Sequence, residues 1–188
     1  MEKIYNYYKQ LYNISDRDWK IFSSKLEKKE FQKKSKILEI GETEKFLSFI
    51  DKGIIRFYIP KENDDLTFGF IFSDSFVCAY DSFLTQKPSE YCVETITATT
   101  LWRLSYEDLQ IIYAKTEIGN LIGRKTSEYL FLKKAERELS FLTENAEERY
   151  LKLFETRPEL IKKIPLKYIA SYIGITPQAL SRIRRRIS

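Results

Sequence analysis

The 188-residue sequence contains no histidine and only two cysteines, and these absences exclude several classes of function. Without histidine, Ser-His-Asp and Cys-His catalysis, Cys/His zinc sites and histidine-ligated haem are ruled out. Cys78 and Cys92 are too few to hold an iron–sulfur cluster alone, and we interpret them as two small, partly buried thiols rather than a disulfide. We predict no catalytic residue, no metal site and no cofactor, and we expect that the protein is not an enzyme.

Glycine and long apolar runs are scarce as well. Six glycines leave little material for a phosphate-binding loop, and neither the Walker A pattern nor G-x-G-x-x-G occurs. No apolar run reaches the roughly 18 residues that a membrane span needs, and the N-terminus lacks the apolar segment of a signal peptide. We therefore expect a cytoplasmic protein without a membrane partner.

The residue types that are abundant predict a folded, basic protein. Hydrophobic residues make up 43% of the chain and aromatic residues 15%, which is typical of a chain that buries a core. The net charge of +5 is unevenly placed, because residues 1–120 carry −2 and residues 121–188 carry +7. A basic segment is usually a solvated surface, but beside a DNA-binding motif it favours contacts with phosphates. The excess lies mainly in Lys162, Lys163, Lys167, Arg182, Arg184, Arg185 and Arg186.

The segment Leu166–Arg185, LKYIASYIGITPQALSRIRR, has the spacing of a helix-turn-helix. Ile169 and Ala170 are predicted to lie on the buried side of a first helix, and Ala170 is small enough for a second helix to cross it closely. Gly174 falls where that first helix must end, because glycine adopts positive φ at little cost.

The second helix of this motif has a predicted start and two distinct sides. Thr176 offers an N-cap hydroxyl, and Pro177 falls at the first helical position, where its missing N–H costs nothing. Leu180 and Ile183 should face inward. The opposite side should present Gln178, Ser181, Arg182 and Arg185 together, as a helix in a DNA major groove does. The alternative is an ordinary helical hairpin with a solvated basic end.

The rest of the chain predicts an α+β protein. The first thirty or so residues look helical, with Ser15 and Asp18 as an N-terminal cap. Between residues 30 and 104, short runs separated by turns predict an antiparallel β barrel or jelly roll. The turn signals are Gly41, Asp51-Lys52-Gly53 and Pro60–Asp65. The predicted strands include Lys36–Ile40, Phe46–Ile50, Ile54–Ile59, Leu66–Phe72 and Tyr91–Ala98.

Helix is predicted again from Ser105, capped with Asp108, and a long helix should run from about Glu117 to Leu142. Its apolar stripe follows a seven-residue spacing, interrupted by Lys125 and Glu136. One interpretation is packing against the chain's own barrel, and the other, which we favour, is a two-helix interface between subunits. A new helix is predicted after a break at residues 143–145, with Asn145 as cap and Glu148 at N3. We therefore expect a sensor domain over 1–142 and a DNA-binding domain over 143–188. The stripe consists of Ile118, Ile122, Tyr129, Leu132 and Leu139.

This order of elements resembles the Crp/Fnr superfamily of bacterial transcription regulators, over nearly the whole chain. The likeness is strongest in IPLKYIASYIGITPQALSRIR (164–184) and extends to KKSKILEIGE (33–42), which opens the roll. The resemblance implies a homodimer that binds a palindromic operator in double-stranded DNA and contacts RNA polymerase. It also implies that an effector in the cyclic-nucleotide-binding-like roll shifts the dimer helices and re-aims the recognition helices.

Carried over position by position, the base-reading residues of the family fall on Pro177, Gln178 and Arg182. Gln178 can pair with adenine and Arg182 with guanine, whereas Pro177 has no side-chain donor for the first contact. The small β-wing that many relatives carry after this helix is not expected, because the chain ends at Ser188. The predicted DNA-binding set is Thr176, Pro177, Gln178, Ser181, Arg182, Arg184, Arg185, Arg186 and Lys167.

Cyclic AMP is not the expected effector. Relatives that bind it hold its phosphate with a Gly-Glu pair and an Arg-Ser pair, and these become Cys78-Ala79 and Ser89-Glu90 here. The neutralising arginine is absent and Glu90 adds a repelling carboxylate. The aromatic residues of the roll are either ordinary core or the lining of a pocket for an apolar or aromatic molecule that the sequence does not identify. The candidate lining is Phe70, Phe76, Tyr80, Phe83, Tyr91 and Tyr129.

These observations predict a homodimeric, sequence-specific DNA-binding regulator with an effector-sensing roll. The rival hypothesis is a ligand-sensing or protein-interaction module whose helix-turn-helix has lost sequence-specific readout. Pro177 and the missing wing are the features that keep this rival open.

Overall fold

The structure is a computed structural model that describes residues 1–62 and 64–187. Asn63, in the predicted turn Pro60–Asp65, and Ser188, the last residue of the predicted second domain, lie outside the described residues. The helices are α1 (Glu2–Tyr12), α2 (Asp16–Ser23), α3 (Tyr80–Thr85), α4 (Tyr106–Lys115), α5 (Gly119–Thr143), α6 (Ala146–Thr156), α7 (Pro158–Lys163), α8 (Leu166–Tyr172) and α9 (Pro177–Ile187). The strands are β1 (Glu27–Phe31), β2 (Lys36–Leu38), β3 (Phe46–Lys52), β4 (Ile54–Ile59), β5 (Leu66–Phe72), β6 (Phe76–Val77), β7 (Cys92–Thr95) and β8 (Thr99–Ser105).

The strands form two four-stranded sheets, with the orders β1-β8-β3-β6 and β2-β7-β4-β5. The pairings of β8 with β1 and β3, of β3 with β6 and of β2 with β7 are antiparallel. The register of β3 against β8 places Phe49 opposite Trp102 and shifts between Ile50 and Lys52. Together with the 25-residue helix α5, these sheets confirm the predicted α+β class with an antiparallel roll and a long helix.

Three predicted helix starts are confirmed by their capping bonds. The Ser15 and Ser105 hydroxyls each accept a hydrogen bond from the backbone N–H three residues on, at 3.1 Å. At α6, the Asn145 side chain accepts from the Glu148 N–H, and the Glu148 carboxylate accepts in return from the Asn145 N–H. Each cap satisfies donors that the helix itself cannot pair, which is why the sequence signal is local and reliable.

Some elements differ from the prediction. The N-terminal helices end at Ser23, and the polar run Glu27–Phe31 is a strand rather than helix. The predicted strand Tyr91–Ala98 is shorter in the structure, Cys92–Thr95. The prediction also overlooked the short elements α3, α7 and β6. Their sequences are too short or too charged to show a period, so only their partners decide their conformation.

Contacts divide the chain into two compact units. The first comprises Met1–Arg56 and Ile71–Tyr129, and the second comprises Phe57–Phe70 and Leu130–Ser188. The predicted domain boundary at residues 142 and 143 stays a prediction. The core of the first unit is built mainly from helices α1 to α4, strands β3 and β8, and the start of α5. Its buried residues are Ile4, Tyr8, Ile14, Phe22, Phe49, Phe83, Leu104, Leu109, Ile112, Ile118 and Ile122.

Burial along strand β5 does not follow the apolar character of its residues. Leu66 is 43% exposed although it is apolar, whereas Thr67 is fully buried. The Thr67 N–H donates to the Ser171 hydroxyl at 2.7 Å, and that hydroxyl donates to the Asp65 carbonyl at 2.7 Å. Because β5 is the last strand of its sheet, these bonds satisfy edge groups that otherwise need water.

No helix among the described residues is both long enough and apolar enough to cross a membrane.

Candidate nucleic-acid interface

The turn between α8 and α9 has the predicted backbone. Gly174 follows the end of α8 with a φ of +80°, and the Ile175 N–H donates to the Ala170 carbonyl at 3.0 Å. This bond and that from the Gly174 N–H to the Ser171 carbonyl close the last turn of α8. The predicted role of Gly174 as the end of the first helix is confirmed.

Helix α9 begins as predicted. The Thr176 hydroxyl accepts from the Ala179 N–H at 3.2 Å, and Pro177 is the first helical residue. The predicted inner sides of the two helices are buried, since Ile169 and Ala170 are inaccessible and Leu180 and Ile183 are at most 6% exposed. The Thr176 cap thereby fixes where α9 begins, and the buried residues Leu180 and Ile183 fix which side of the helix faces inward.

The opposite side of α9 is polar and exposed. The side chains of Gln178, Ser181, Arg182 and Arg185 are all exposed, and their spacing of three and four residues places them on one side of the helix. Arg184, Arg186 and Lys167, the other predicted phosphate contacts, are exposed as well, and Pro177 is partly buried.

Arg186, a predicted phosphate contact, has a partner within the chain. The Arg186 guanidinium pairs with the Glu147 carboxylate of α6, and Arg186 stays 67% exposed in this pair. Exposed ion pairs contribute about 0–1 kcal/mol, so a phosphate can replace Glu147 at little cost. Nothing in the sequence links residues 147 and 186, because helix α6 brings them together only in the folded unit.

Two arginines outside the predicted set hold the turn. Arg137 of α5 donates to the Tyr172 carbonyl, and Arg149 of α6 donates to the Ile173 carbonyl, each at 3.0 Å. These carbonyls end α8 and carry the partial negative charge of its C-terminus. The only sequence signal for this role is that both residues are arginine, which does not by itself predict a contact with the end of α8.

The predicted dimer stripe is divided in the structure. Ile118 and Ile122 are buried in the chain's own core, as the barrel-packing interpretation expects. Tyr129, Leu132 and Leu139 are instead 59–64% exposed on α5. Phe131 and Leu142, which were not predicted, add to the exposed apolar surface of this helix. The charged residues that interrupt the stripe form ion pairs along the helix, Lys125 with Glu128 and Glu136 with Lys133.

The fold has close counterparts among solved structures. A Crp/Fnr-family transcriptional regulator from Eubacterium rectale, described as putative, matches with a TM-score of 0.75 at 16% identity, over 97% of this chain and 87% of its own. A CooA variant from Carboxydothermus hydrogenoformans matches with a TM-score of 0.70 at 14% identity, over 93% and 81% of the two chains. The protein has the Crp/Fnr regulator fold. The Xanthomonas campestris regulator CLP, described as responsive to c-di-GMP, also matches with a TM-score of 0.70 at 17% identity, over 92% and 91%.

These identities establish the Crp/Fnr regulator fold and nothing finer. No family profile matches the sequence, and no curated protein sequence matches it either. Because one fold can carry many functions, the fold alone does not assign a function to this chain.

The six candidate effector-pocket residues lie in different surroundings, five in the first unit and Phe70 in the second. Phe76 packs edge-on against Phe49 with ring centroids 5.1 Å apart, and Phe83 is fully buried. Phe70 belongs to the second unit, where its ring lies 5.4 Å from that of Tyr172. Tyr129 is exposed, and the Tyr91 hydroxyl donates to Asp81.

A small cavity lies beside two of these aromatic residues. Phe76 and Tyr80 line it with Tyr113 and Gly123, and its volume is about 10 Å³. That volume holds one water molecule, whereas sites for small ligands measure about 300–1,000 Å³. Phe83 belongs to the core of the first unit, and Phe76 and Tyr80 pack against that core.

Ala79, one of the positions that the resemblance aligns with phosphate-binding residues, donates a hydrogen bond within the chain. Buried Glu44 accepts hydrogen bonds from the backbone N–H groups of Phe46 at 3.0 Å and Ala79 at 3.4 Å. Burial raises the pKa of Glu44, although its backbone hydrogen bonds partly oppose the shift. Burial also raises the pKa of the Cys78 thiol well above its usual range, helped by the charges of Glu44 and Asp81.

Proposed function

We propose that the chain is a homodimeric, sequence-specific DNA-binding transcription regulator whose roll senses a signal other than cyclic AMP. The observation that carries the proposal is the exposed side of α9, where Gln178, Ser181 and Arg182 lie in register on a helix held by a glycine turn and a threonine cap. The Crp/Fnr regulator fold supports it.

The side chains of α9 divide into two proposed roles. Gln178 can make a bidentate pair with adenine N6 and N7, and Arg182 with guanine O6 and N7. Lys167 and the arginines at positions 184–186 can neutralise phosphates, which gives affinity and salt dependence without sequence preference. Thr176, at the N-terminus of the helix, can contact a phosphate of the DNA backbone.

The exposed apolar part of α5 supports a homodimer. Phe131, Leu132, Leu139 and Leu142 are 60–76% exposed, and a cluster of large apolar side chains on a helix usually marks an interface. A second copy packed along α5 would bury this surface as a two-helix interface. Two recognition helices would then lie about one helical turn, roughly 34 Å, apart on a palindromic operator. RNA polymerase as a further partner is a proposal from the resemblance alone.

The proposal that the protein does not bind cyclic AMP depends on the buried surroundings of Ala79. The Ala79 N–H donates to a carboxylate of the chain, and Glu90 is exposed beside buried Ser89. A nucleotide phosphate placed there would have to displace one carboxylate and approach another, and like charges repel. The effector, if the roll has one, is of a different chemical class.

The second candidate is a module that has lost sequence-specific readout. Pro177 favours it, because the first base-reading position has no side-chain donor. This hypothesis predicts DNA binding that depends on salt but shows no preferred sequence.

Selection of bound duplexes from a random DNA pool at about 150 mM salt tests the proposal. A palindromic motif with two equal half-sites is the expected result, and its spacing reports the separation of the recognition helices. Recovery without any enriched motif favours the second candidate. Repeating the selection with a cell metabolite extract shows whether an effector restores the motif, in which case the first proposal stands.

A further inference from the structure

The turn that precedes the recognition helix is held by a layer of alternating arginine and aromatic side chains. The guanidinium of Arg137 lies between two rings, with its central carbon 4.6 Å from the Phe141 centroid and 4.4 Å from the Tyr172 centroid. The guanidinium of Arg149 packs on Phe141 at 4.5 Å. Three elements, α5, α6 and α8, therefore contribute to one layer.

The same arginines donate hydrogen bonds to the end of α8. Arg137 binds the Tyr172 carbonyl and Arg149 binds the Ile173 carbonyl, both at 3.0 Å. Arg149 also donates to the Glu144 carbonyl at the end of α5. The turn residues Tyr172 and Ile173 are thus tied to α5 and α6 through charge-assisted bonds, which are stronger than neutral ones.

The fit at Gly174 shows how close this packing is. A Cβ atom at Gly174 would lie 2.8 Å from Cε1 of Phe141, so the ring of α5 sits directly against the turn. Phe141 is in turn held between two guanidinium groups. Burial and the nearby charges of Arg149 and Arg157 lower the pKa of Arg137.

The part of α5 that carries this layer also carries the exposed apolar surface. Leu132 and Leu139 lie on the same helical segment as Arg137, and all belong to the second unit together with α8 and α9. An attachment between this segment and the turn therefore sets the direction of α9 relative to the surface at which two copies would meet.

We propose that Arg137 and Arg149 are positioning residues that fix the recognition helix relative to the apolar surface of α5 and thereby set the spacing of the two DNA half-sites. This inference rests on the proposed function. Neither residue needs to touch DNA, because both act through the carbonyls that end α8.

The chemistry requires arginine at position 137. A planar guanidinium can stack between two rings and donate a hydrogen bond at its edge at the same time, whereas a lysine ammonium is a compact charge that cannot do both. Arg137→Lys keeps the charge and should still release the turn. Lys134→Met is the matched control, because Lys134 is an exposed cation of α5 that lies three residues earlier.

The first experiment measures the attachment without DNA. Spin labels at Glu138→Cys on α5 and Ser181→Cys on α9, in a chain with Cys78→Ala and Cys92→Ala, report the distance between the two helices. Labelled protein is diluted with unlabelled protein so that each pair belongs to one chain. A single narrow distribution is expected for the parent and for Lys134→Met, and a clearly broader one for Arg137→Lys and Arg149→Met. Equal widths in all four proteins would overturn the attachment.

The second experiment repeats the duplex selection with these variants. The parent and Lys134→Met should return one half-site spacing. Arg137→Lys should return the same half-site sequence over several spacings and bind the parent's best palindrome about tenfold more weakly, while its affinity for a single half-site is unchanged. A merely structural role would reduce both affinities alike.

The outcomes separate the inference from the proposed function. A single spacing for Arg137→Lys overturns the inference while the regulator proposal stands. A parent protein that selects no motif, with or without metabolite extract, overturns the regulator proposal and the spacing role with it. The distance distributions then still decide whether the arginine layer holds the turn. Circular dichroism shows whether each variant folds. If Arg137→Lys fails to fold, Arg149→Met provides the independent test.

Discussion

At the scale of single residues, Gly174 meets two requirements at once. Its φ of +80° is costly for any residue with a Cβ atom, and a Cβ there would also collide with Phe141. Gly41 meets only the first requirement, because its φ is +88° but the space around it is open. A comparison of Gly41 with Gly174 therefore separates the cost of backbone strain from the cost of a steric clash.

We expect Gly41→Ala to lower the free energy of unfolding by about 1–2 kcal/mol, the cost of a left-handed residue with a side chain. Gly174→Ala should lose about 1–3 kcal/mol more, because Phe141 must move from between its two arginines. Urea denaturation measures both. Equal losses at the two positions would show that Phe141 does not constrain the turn.

Glu44 is predicted to make stability depend on pH. Its pKa is raised in the folded protein, mainly by burial, so the folded state holds the proton more tightly than the unfolded state. The stabilisation is complete below the ordinary value of about 4.5 and is lost as pH rises through the folded pKa. Urea midpoints of the natural protein should fall across this window relative to those of Glu44→Gln. Parallel pH profiles, with exposed Glu90→Gln as the reference, would contradict the prediction.

Arg182 and Arg186 should behave differently on DNA. Arg182→Ala should cost about 1–3 kcal/mol on the selected operator and relax the preference at one base pair per half-site. Arg186→Ala should weaken all sequences alike and reduce the salt slope by about one, since Glu147 is an easily replaced partner. Titrations on operator and random duplexes at several salt concentrations measure both effects. Equal losses on the two duplexes for Arg182→Ala would contradict its role as a base reader.

At the scale of elements, edge strand β5 depends on helix α8. Ser171 accepts from the Thr67 N–H and donates to the Asp65 carbonyl, and Arg157 donates to the Phe70 carbonyl at 2.9 Å. Side chains from α8 and from the junction between α6 and α7 thus bind the backbone of a strand that is the last of its sheet among the described residues. This explains why Thr67 is buried while apolar Leu66 is exposed.

Ser171→Ala should therefore lower stability by about 1–3 kcal/mol, because it leaves a buried backbone donor without the hydroxyl that it binds. Amide exchange at Thr67 should accelerate by a similar free energy. Ser181→Ala, on the exposed side of α9, is the control and should stay within about 0.5 kcal/mol of the natural protein. Unchanged exchange at Thr67 in Ser171→Ala would show that the strand does not need the helix.

An element could be predicted from the sequence where the residues that determine it lie close together along the chain. The caps at Ser15, Ser105 and Asn145 and the turn at Gly174 were predicted, because each depends on residues within four positions of one another. Strand β1 was missed, since Glu27–Phe31 is largely charged and has no alternation of apolar residues. It is a strand because it pairs with β8, from Glu27 opposite Arg103 to Phe31 opposite Thr99.

At the scale of the whole molecule, the exposed part of α5 predicts self-association. Lysine at positions 132 and 139 would place two charges in the proposed interface, where their desolvation opposes association. We expect Leu132→Lys with Leu139→Lys to weaken the dimer by about two orders of magnitude or more. Sedimentation equilibrium measures this. The control variant Leu11→Lys, at an exposed leucine of α1, should leave the dimer intact, so that sedimentation reports the mass of two chains. A monomeric natural protein, or a double variant that associates equally well, would contradict the dimer.

The sequence alone determined the α+β class, the capped helix starts, the glycine turn and the basic side of α9, because these depend on short-range geometry and on charge. The tertiary structure decided which surface each residue meets. It placed Ile122 in the core but left Leu132 exposed, although both belong to one stripe. It also paired Arg186 with Glu147 and set Arg137 between two rings. Those outcomes depend on partners such as Tyr172 and Glu147, which lie tens of residues away along the chain, and a local pattern carries no information about such partners.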